Sequence, residues 1–170
     1  MNKIYVWDWF VRLTHWIVAI LFLANYFVLP KGSEPHQIAG YIVIGAVVLR
    51  LLWGLVTHSP ARLSEFKPSI PKALDHIRSV IATGEDDHVG HNPAGAIMIW
   101  AMWALILITA FTGWGTQLDA FIHAKWLRET HEIFANITML AVAVHISAIV
   151  VMTRLTHRSY VKGMWFQRKQ

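Results

Sequence analysis

Four stretches of this chain are each long and apolar enough to cross the hydrocarbon core of a bilayer, which is about 30 Å thick and takes roughly 20 residues of helix. They run from near Trp9 to Leu29, from about His36 to Val56, from Ala94 to about Gly115 and from about Thr130 to Thr153. Lipid offers no partner to an open backbone N–H or C=O, so each stretch must close its own hydrogen bonds. All four exceed the length of a strand and contain no proline, which selects helix over a barrel strand. The fold class expected is therefore all-α, an integral membrane four-helix bundle. With 170 residues in all, 55% of them hydrophobic, one domain over residues 1–170 accommodates the spans and short connections.

The connections agree with this division. Pro30 to Pro35 is a short, breaker-rich turn, so the first two spans are expected to be antiparallel neighbours. The longest polar region, about residues 58–92, carries Pro60, Pro68 and Pro71 and then a short amphipathic helix over Lys72 to Ala82. A further loop, Trp114 to Arg128, joins the last two spans. Twelve of the fifteen Lys and Arg residues fall at the N-terminus, in the 58–92 loop or after Thr153, counted with the adjoining helix ends. Only Lys31, Lys125 and Arg128 lie on the other side. Positive charge gathers on the cytoplasmic side, so both termini are expected inside, in a bacterial inner membrane. The first span is too long for a removable signal peptide and is expected to stay as an anchor. The net charge of +5 is accounted for by topology and anionic lipid, and nucleic acid is excluded as a partner.

Cysteine is absent, which rules out disulfides, iron–sulfur clusters and thioether-linked haem. The ten histidines are the residues to explain. A strongly polar side chain inside a membrane helix is costly and is by default a functional candidate facing the bundle interior. His15 and His145 lie within spans; His36 and His131 lie at span ends. His131 and His145 are fourteen residues apart. That is close to four turns, which puts both imidazoles near one helix face about 21 Å apart along the axis. With the first span starting inside and the second outside, direction and depth pair His15 with His145 at an inner level and His36 with His131 at an outer one. His36 directly follows Pro35 at a helix start, where a histidine facing headgroups is the bland alternative. His58, His76, His88, His123 and His157 lie in or beside loops and are expected in solvent; His91 serves equally as part of a helix cap.

Two imidazoles per level with no carboxylate beside them suit the two axial positions of a planar porphyrin better than a four-ligand zinc site. Small residues at Ala39, Gly40, Ala135, Ala141 and Ala143 leave room for a macrocycle. Arg12 and Arg50, near the inner level, are candidate partners of haem carboxylates, although Arg12 serves equally as a positive-inside anchor.

The opening VWDWFVRLTHW, GYIVIGAVVLRLLWG in the second span, GHNPAGA at Gly90–Ala96, the TGW ending the third span and HEIFAN…VAVH in the fourth together resemble the prokaryotic cytochrome b561 family. The likeness is greatest to the cytochrome b subunits of nickel–iron hydrogenases. It covers nearly the whole chain, with one departure: the short first outer loop sets His36 near the membrane surface. The resemblance implies two b haems, held by His15 with His145 and by His36 with His131, and exchange of electrons with ubiquinone or menaquinone. It marks His91 and Asn92 of the GHNP segment as cofactor-binding candidates, lining a quinone pocket or holding haem carboxylates. His91 or nearby Asp8 is placed to relay protons at the inner face.

The function expected is transmembrane electron transfer between the quinone pool and an outer-face partner such as a hydrogenase or a c-type cytochrome. The alternative is a self-contained superoxide:ubiquinone oxidoreductase, similar to superoxide oxidases of the same family. That reading calls for a basic cluster outside, whereas Lys31, Lys125 and Arg128 are balanced by Glu34, Asp119 and Glu129. A divalent-metal transporter is disfavoured, because no Asp or Glu lies deep in a span.

Overall fold

The computed structural model describes residues 7–88 and 90–165; Lys3, Arg168 and Lys169, counted above for the orientation, lie outside the described residues. The elements are α1 (Trp9–Phe27), α2 (Glu34–Val56), α3 (Ile70–Thr83), α4 (Pro93–Gly115), α5 (Lys125–Thr156) and α6 (Tyr160–Met164). α1, α2, α4 and α5 are long and apolar enough to cross a membrane and form a four-span bundle.

Local chemistry sets the helix starts. Asp8, Ser33 and Asn92 are N-caps whose side chains accept from the amides of Val11 (2.9 Å), His36 (3.4 Å) and Gly95 (2.7 Å). Pro35 and Pro93 stand in the first turns of α2 and α4, where a missing N–H costs nothing. α1 stops at Phe27, two residues before the expected Leu29. The amides of Val28 and Leu29 both turn back onto the Ala24 carbonyl, and Pro30 has no donor to continue the ladder. α5 is longer than the expected 130–153 at both ends. Its first turns are polar and supported by the Lys125–Glu129 pair, four residues apart, so they extend the helix without adding to the apolar stretch.

α1 packs on α2, α2 on α4 and α4 on α5, while α5 makes little direct backbone contact with α1 or α2. Val43 and Val47 of α2 meet Ile106 of α4 in the buried seam. Between α4 and α5 the hydroxyls of Thr109 and Thr138 bond at 3.0 Å, and Thr138 is fully enclosed. Interhelical bonds of this kind average about 0.6 kcal/mol in membranes, so this one fixes register more than it adds stability. Large apolar side chains such as Ile20, Leu49 and Leu140 point outward, as they must where the solvent is lipid.

One end of the bundle, called inner after the expected orientation, is capped by α3, the 84–92 segment and α6. α3 covers residues 70–83, slightly more than the expected Lys72–Ala82, and turns Ala73, His76 and Val80 inward. Ile70, Leu74, Ile77 and Ile81 form an outward apolar stripe, the pattern of a helix lying at a membrane interface. His76, expected in solvent, is therefore buried: its three- and four-residue spacing from Ala73 and Val80 places it on the packed face. Beside it the Asp86 side chain is completely enclosed. One carboxylate oxygen of Asp86 accepts from Tyr160 (2.6 Å) and Asn92 (2.9 Å), the other from the His88 amide (3.2 Å). Burial opposes the charge on Asp86, but the bonds from Tyr160, Asn92 and His88 outweigh it and hold the carboxyl below its usual range. Burial and the hydrogen bond it donates to Asp86 push the Tyr160 phenol up to about 12. Replacing Asp86 by Ala removes the acceptor shared by these donors and is expected to cost on the order of 2–3 kcal/mol. The check is a lower thermal midpoint together with faster proteolytic cleavage within residues 84–92.

Candidate functional site

α5 carries His131 and His145 on one unbroken helix, and Thr138 lies seven residues from each. Two heptads keep all three on nearly the same face, so the Thr109–Thr138 contact occupies the interval between the two histidine levels.

At the outer level the ring centres of His36 and His131 are 6.2 Å apart with their planes crossed at 85°. The His131 Nδ1 lies 2.8 Å from the Thr109 carbonyl oxygen. A carbonyl only accepts, so Nδ1 carries the proton and the Nε2 lone pair is left for a metal. Gly113 makes this placement sterically possible: a Cβ there would lie 2.8 Å from His131 Cε1 and 3.0 Å from Nδ1. His36 is held through its backbone, whose carbonyl accepts from Asn25 of α1 at 3.1 Å. Tyr26 of α1 donates to Asn136 of α5 at 2.8 Å, closing this end of the bundle.

At the inner level His15 of α1 and His145 of α5 are both half-buried and near enough to interact electrostatically. The Nδ1 atoms of His15 and His36 are buried with no protein partner. The aromatic shell around His15 includes Trp16, edge-on at 5.3 Å, whose indole N–H donates to the Met164 carbonyl. Arg12 donates to the Trp165 carbonyl at 3.1 Å, tying α1 to the segment after α6. Arg50 is 5% exposed; it donates through Nη2 to the Ala61 carbonyl and lies over Trp103, while its Nη1 has no protein partner. Interior cationic donors of this kind fit an anionic group inside the bundle. With His36 and His131 6.2 Å apart at one level, His15 and His145 close enough to interact at the other, and helices standing apart at α5, the residues present fit a pair of planar metal macrocycles.

His91 stacks on Trp7 at 4.2 Å, with Phe66 tilted against it at 4.5 Å. Phe66 and His91 border a cleft of about 390 Å³ whose rim includes His58, Arg62 and Glu65. Burial, reinforced by the Arg50 charge, lowers the His91 pKa to about 3, so its imidazole is neutral at physiological pH. Asn92 spends both sides of its amide within the protein, capping α4 and donating to Asp86. Asp8 is likewise committed: beyond its cap, its second oxygen accepts from Trp53 (3.3 Å) and Ser59 (3.1 Å), pinning the start of the 57–66 segment. Neither side chain points its polar atoms into the cleft as a free relay group.

Thr109, Thr138 and Gly113 are the site residues that sequence reasoning passed over. The seven-residue spacing of Thr138 from both histidines was a usable signal; the carbonyl of Thr109 has no side-chain signature at all.

Among known protein families, prokaryotic cytochrome b561 matches residues 6–167 of the chain. Neither the curated proteins nor the solved structures compared with it gave a match.

The neutral His91 has a pH signature. Its folded pKa, about 3, lies below the unfolded value of 6.5, so the stability it contributes is complete above pH 6.5 and is lost as pH falls through that window. The slope is at most about 1.4 kcal/mol per pH unit. His91→Phe keeps the ring stack and removes the titration, so the stability of wild type relative to the variant is expected to fall from pH 6.5 to pH 4 in thermal melts.

Proposed function

Since the chain belongs to the prokaryotic cytochrome b561 family, we propose that it passes electrons through two bis-histidine b haems between a membrane quinone at its inner end and a redox protein at its outer end. Membership makes it a multi-pass membrane cytochrome, and transmembrane electron transfer through b haems is the activity the family implies.

The observation that carries the ligand assignment is the His36–His131 pair. An imidazole nitrogen sits about 2 Å from its metal, so two rings on opposite sides of one ion have centres on the order of 6 Å apart. The separation of 6.2 Å fits that arrangement, and the bond to the Thr109 carbonyl leaves His131 with Nε2 as ligand. His15 and His145 form the matching inner pair. Haems held by these two pairs would supply one-electron carriers at both levels of the bundle. Arg50, whose Nη1 the protein leaves unpaired, would offer a charged donor to a haem carboxylate. Thr109 orients His131, and the Thr109–Thr138 bond keeps α4 and α5 in register so that both ligands of α5 stay on the interior face.

The cleft between Phe66 and His91 receives the quinone headgroup, ubiquinone or menaquinone, with the neutral imidazole bonding to a carbonyl or hydroxyl oxygen. Because the pKa of His91 lies far below 7, its part is orientation rather than proton storage. On the outer face Lys31 pairs with Glu132 at 2.6 Å and Lys125 with Glu129 at 3.5 Å. Arg128 is the one outer cation among the described residues without a carboxylate partner, donating to the Ile122 carbonyl; a surface with two of its three cations neutralised attracts superoxide weakly and suits a protein partner such as a hydrogenase or a c-type cytochrome. The orientation is N-in/C-in in a bacterial inner membrane.

Stopped-flow reduction of the haem-loaded protein by quinol tests the inner site. His91→Ala is expected to raise the half-saturating quinol concentration at least about tenfold, the loss of roughly 1.4 kcal/mol of binding, with iron per chain unchanged. An unaltered half-saturation point removes the cleft from the reading, and fast haem reduction by superoxide alone would favour the oxidase.

A further inference from the structure

The inner cap holds a second set of ligating side chains that the electron path does not use. His76 on α3 and Asp86 and His88 on the 84–92 segment bring one ligand atom each to within 4.8 Å of one another. We propose that these three residues bind one zinc ion, with solvent water as the fourth ligand; the site is independent of the haem and quinone reading.

The spacing is that of ligands. Donor atoms around a tetrahedral ion with bonds of about 2 Å lie on the order of 3.3 Å apart. Asp86 Oδ1 is 3.4 Å from His76 Nε2 and 3.0 Å from His88 Nδ1. The His76 contact is long for a hydrogen bond between two groups enclosed to this degree, with side chains 3% and 0% exposed. The remaining nitrogen of His76, Nδ1, is also buried with no protein partner. An apolar residue would fill that place on α3 more favourably unless Nε2 has a stronger task than a stretched contact. Asp86 is prepared as a one-oxygen ligand: Tyr160 and Asn92 occupy Oδ2 and leave Oδ1 facing the two imidazoles. His88 is half exposed, which gives the ion a way in and the fourth position to water. Two imidazoles and one carboxylate with no thiolate is a zinc donor set that keeps one position open. The ion ties α3 to the segment that leads into His91, and through Asp86 to the start of α4 and to α6.

The test uses the full-length, tag-free protein with haem bound, stripped with a chelator and then equilibrated with micromolar zinc chloride. Zinc and iron per chain are counted by elemental analysis, and thermal midpoints are read with and without zinc. The proposal predicts one zinc per chain and a midpoint that rises with zinc. In His88→Ala, whose side chain lies at the surface, zinc affinity is expected to fall at least about tenfold and the rise in midpoint to vanish, with iron content unchanged. His76→Gln is expected to lose zinc likewise. No zinc bound at micromolar concentration overturns the proposal; so does zinc bound equally well by wild type, His88→Ala and His76→Gln, since the ion would then sit on other histidines.

Discussion

Placing an imidazole among lipid-embedded helices is unfavourable unless its nitrogens are engaged, and this chain does so four times in its spans. That cost organises the bundle. His131 is engaged through the Thr109 carbonyl, and the engagement works only because residue 113 is glycine and leaves room for the ring. The same threonine reaches Thr138, which stands midway between His131 and His145 on α5. One residue thus links His131, through its carbonyl, to the register of the helix that carries His145, through its hydroxyl.

α5 is the common rod. Its 32 residues run without a break through both levels, so the two histidines cannot change their separation independently. α1 and α2 each bring one imidazole to a level of α5, and their backbones stand off from α5 rather than packing on it. In the proposed reading that interval is filled by porphyrin, which makes the cofactor part of the packing: apolar burial between helices gives little driving force in lipid, so a rigid aromatic body between them serves where side chains would otherwise meet.

Much of this was readable in the residues themselves. Hydropathy alone located four spans to within a few residues, because backbone satisfaction in lipid leaves few alternatives. Span direction and depth led to the expectation that His36 pairs with His131; their ring centres lie 6.2 Å apart, edge to face. What escaped was contact between segments far apart in the chain. His76 was assigned to solvent because it sits in the long polar region, yet its position on the inward stripe of α3 buries it. Asp86, one of three consecutive acidic residues, gave no sign that it alone would be enclosed by Tyr160 and Asn92. Arg12 was read either beside haem carboxylates or as a positive-inside anchor; its guanidinium also donates to the Trp165 carbonyl, a contact across 153 residues that no local pattern announces. Backbone acceptors such as the Thr109 carbonyl carry no residue identity, so no pattern of side chains announces them.

The central claim is that two pairs of imidazoles, one at each level, hold two haems. The most direct measurement is haem and iron per chain, with reduced-minus-oxidised spectra, for wild type, His36→Ala and His145→Ala purified side by side. The account predicts two haems in the wild type and one in each variant, with different spectra because different levels have been emptied. Full pigment in either variant, or loss of the same spectral component in both, would contradict it.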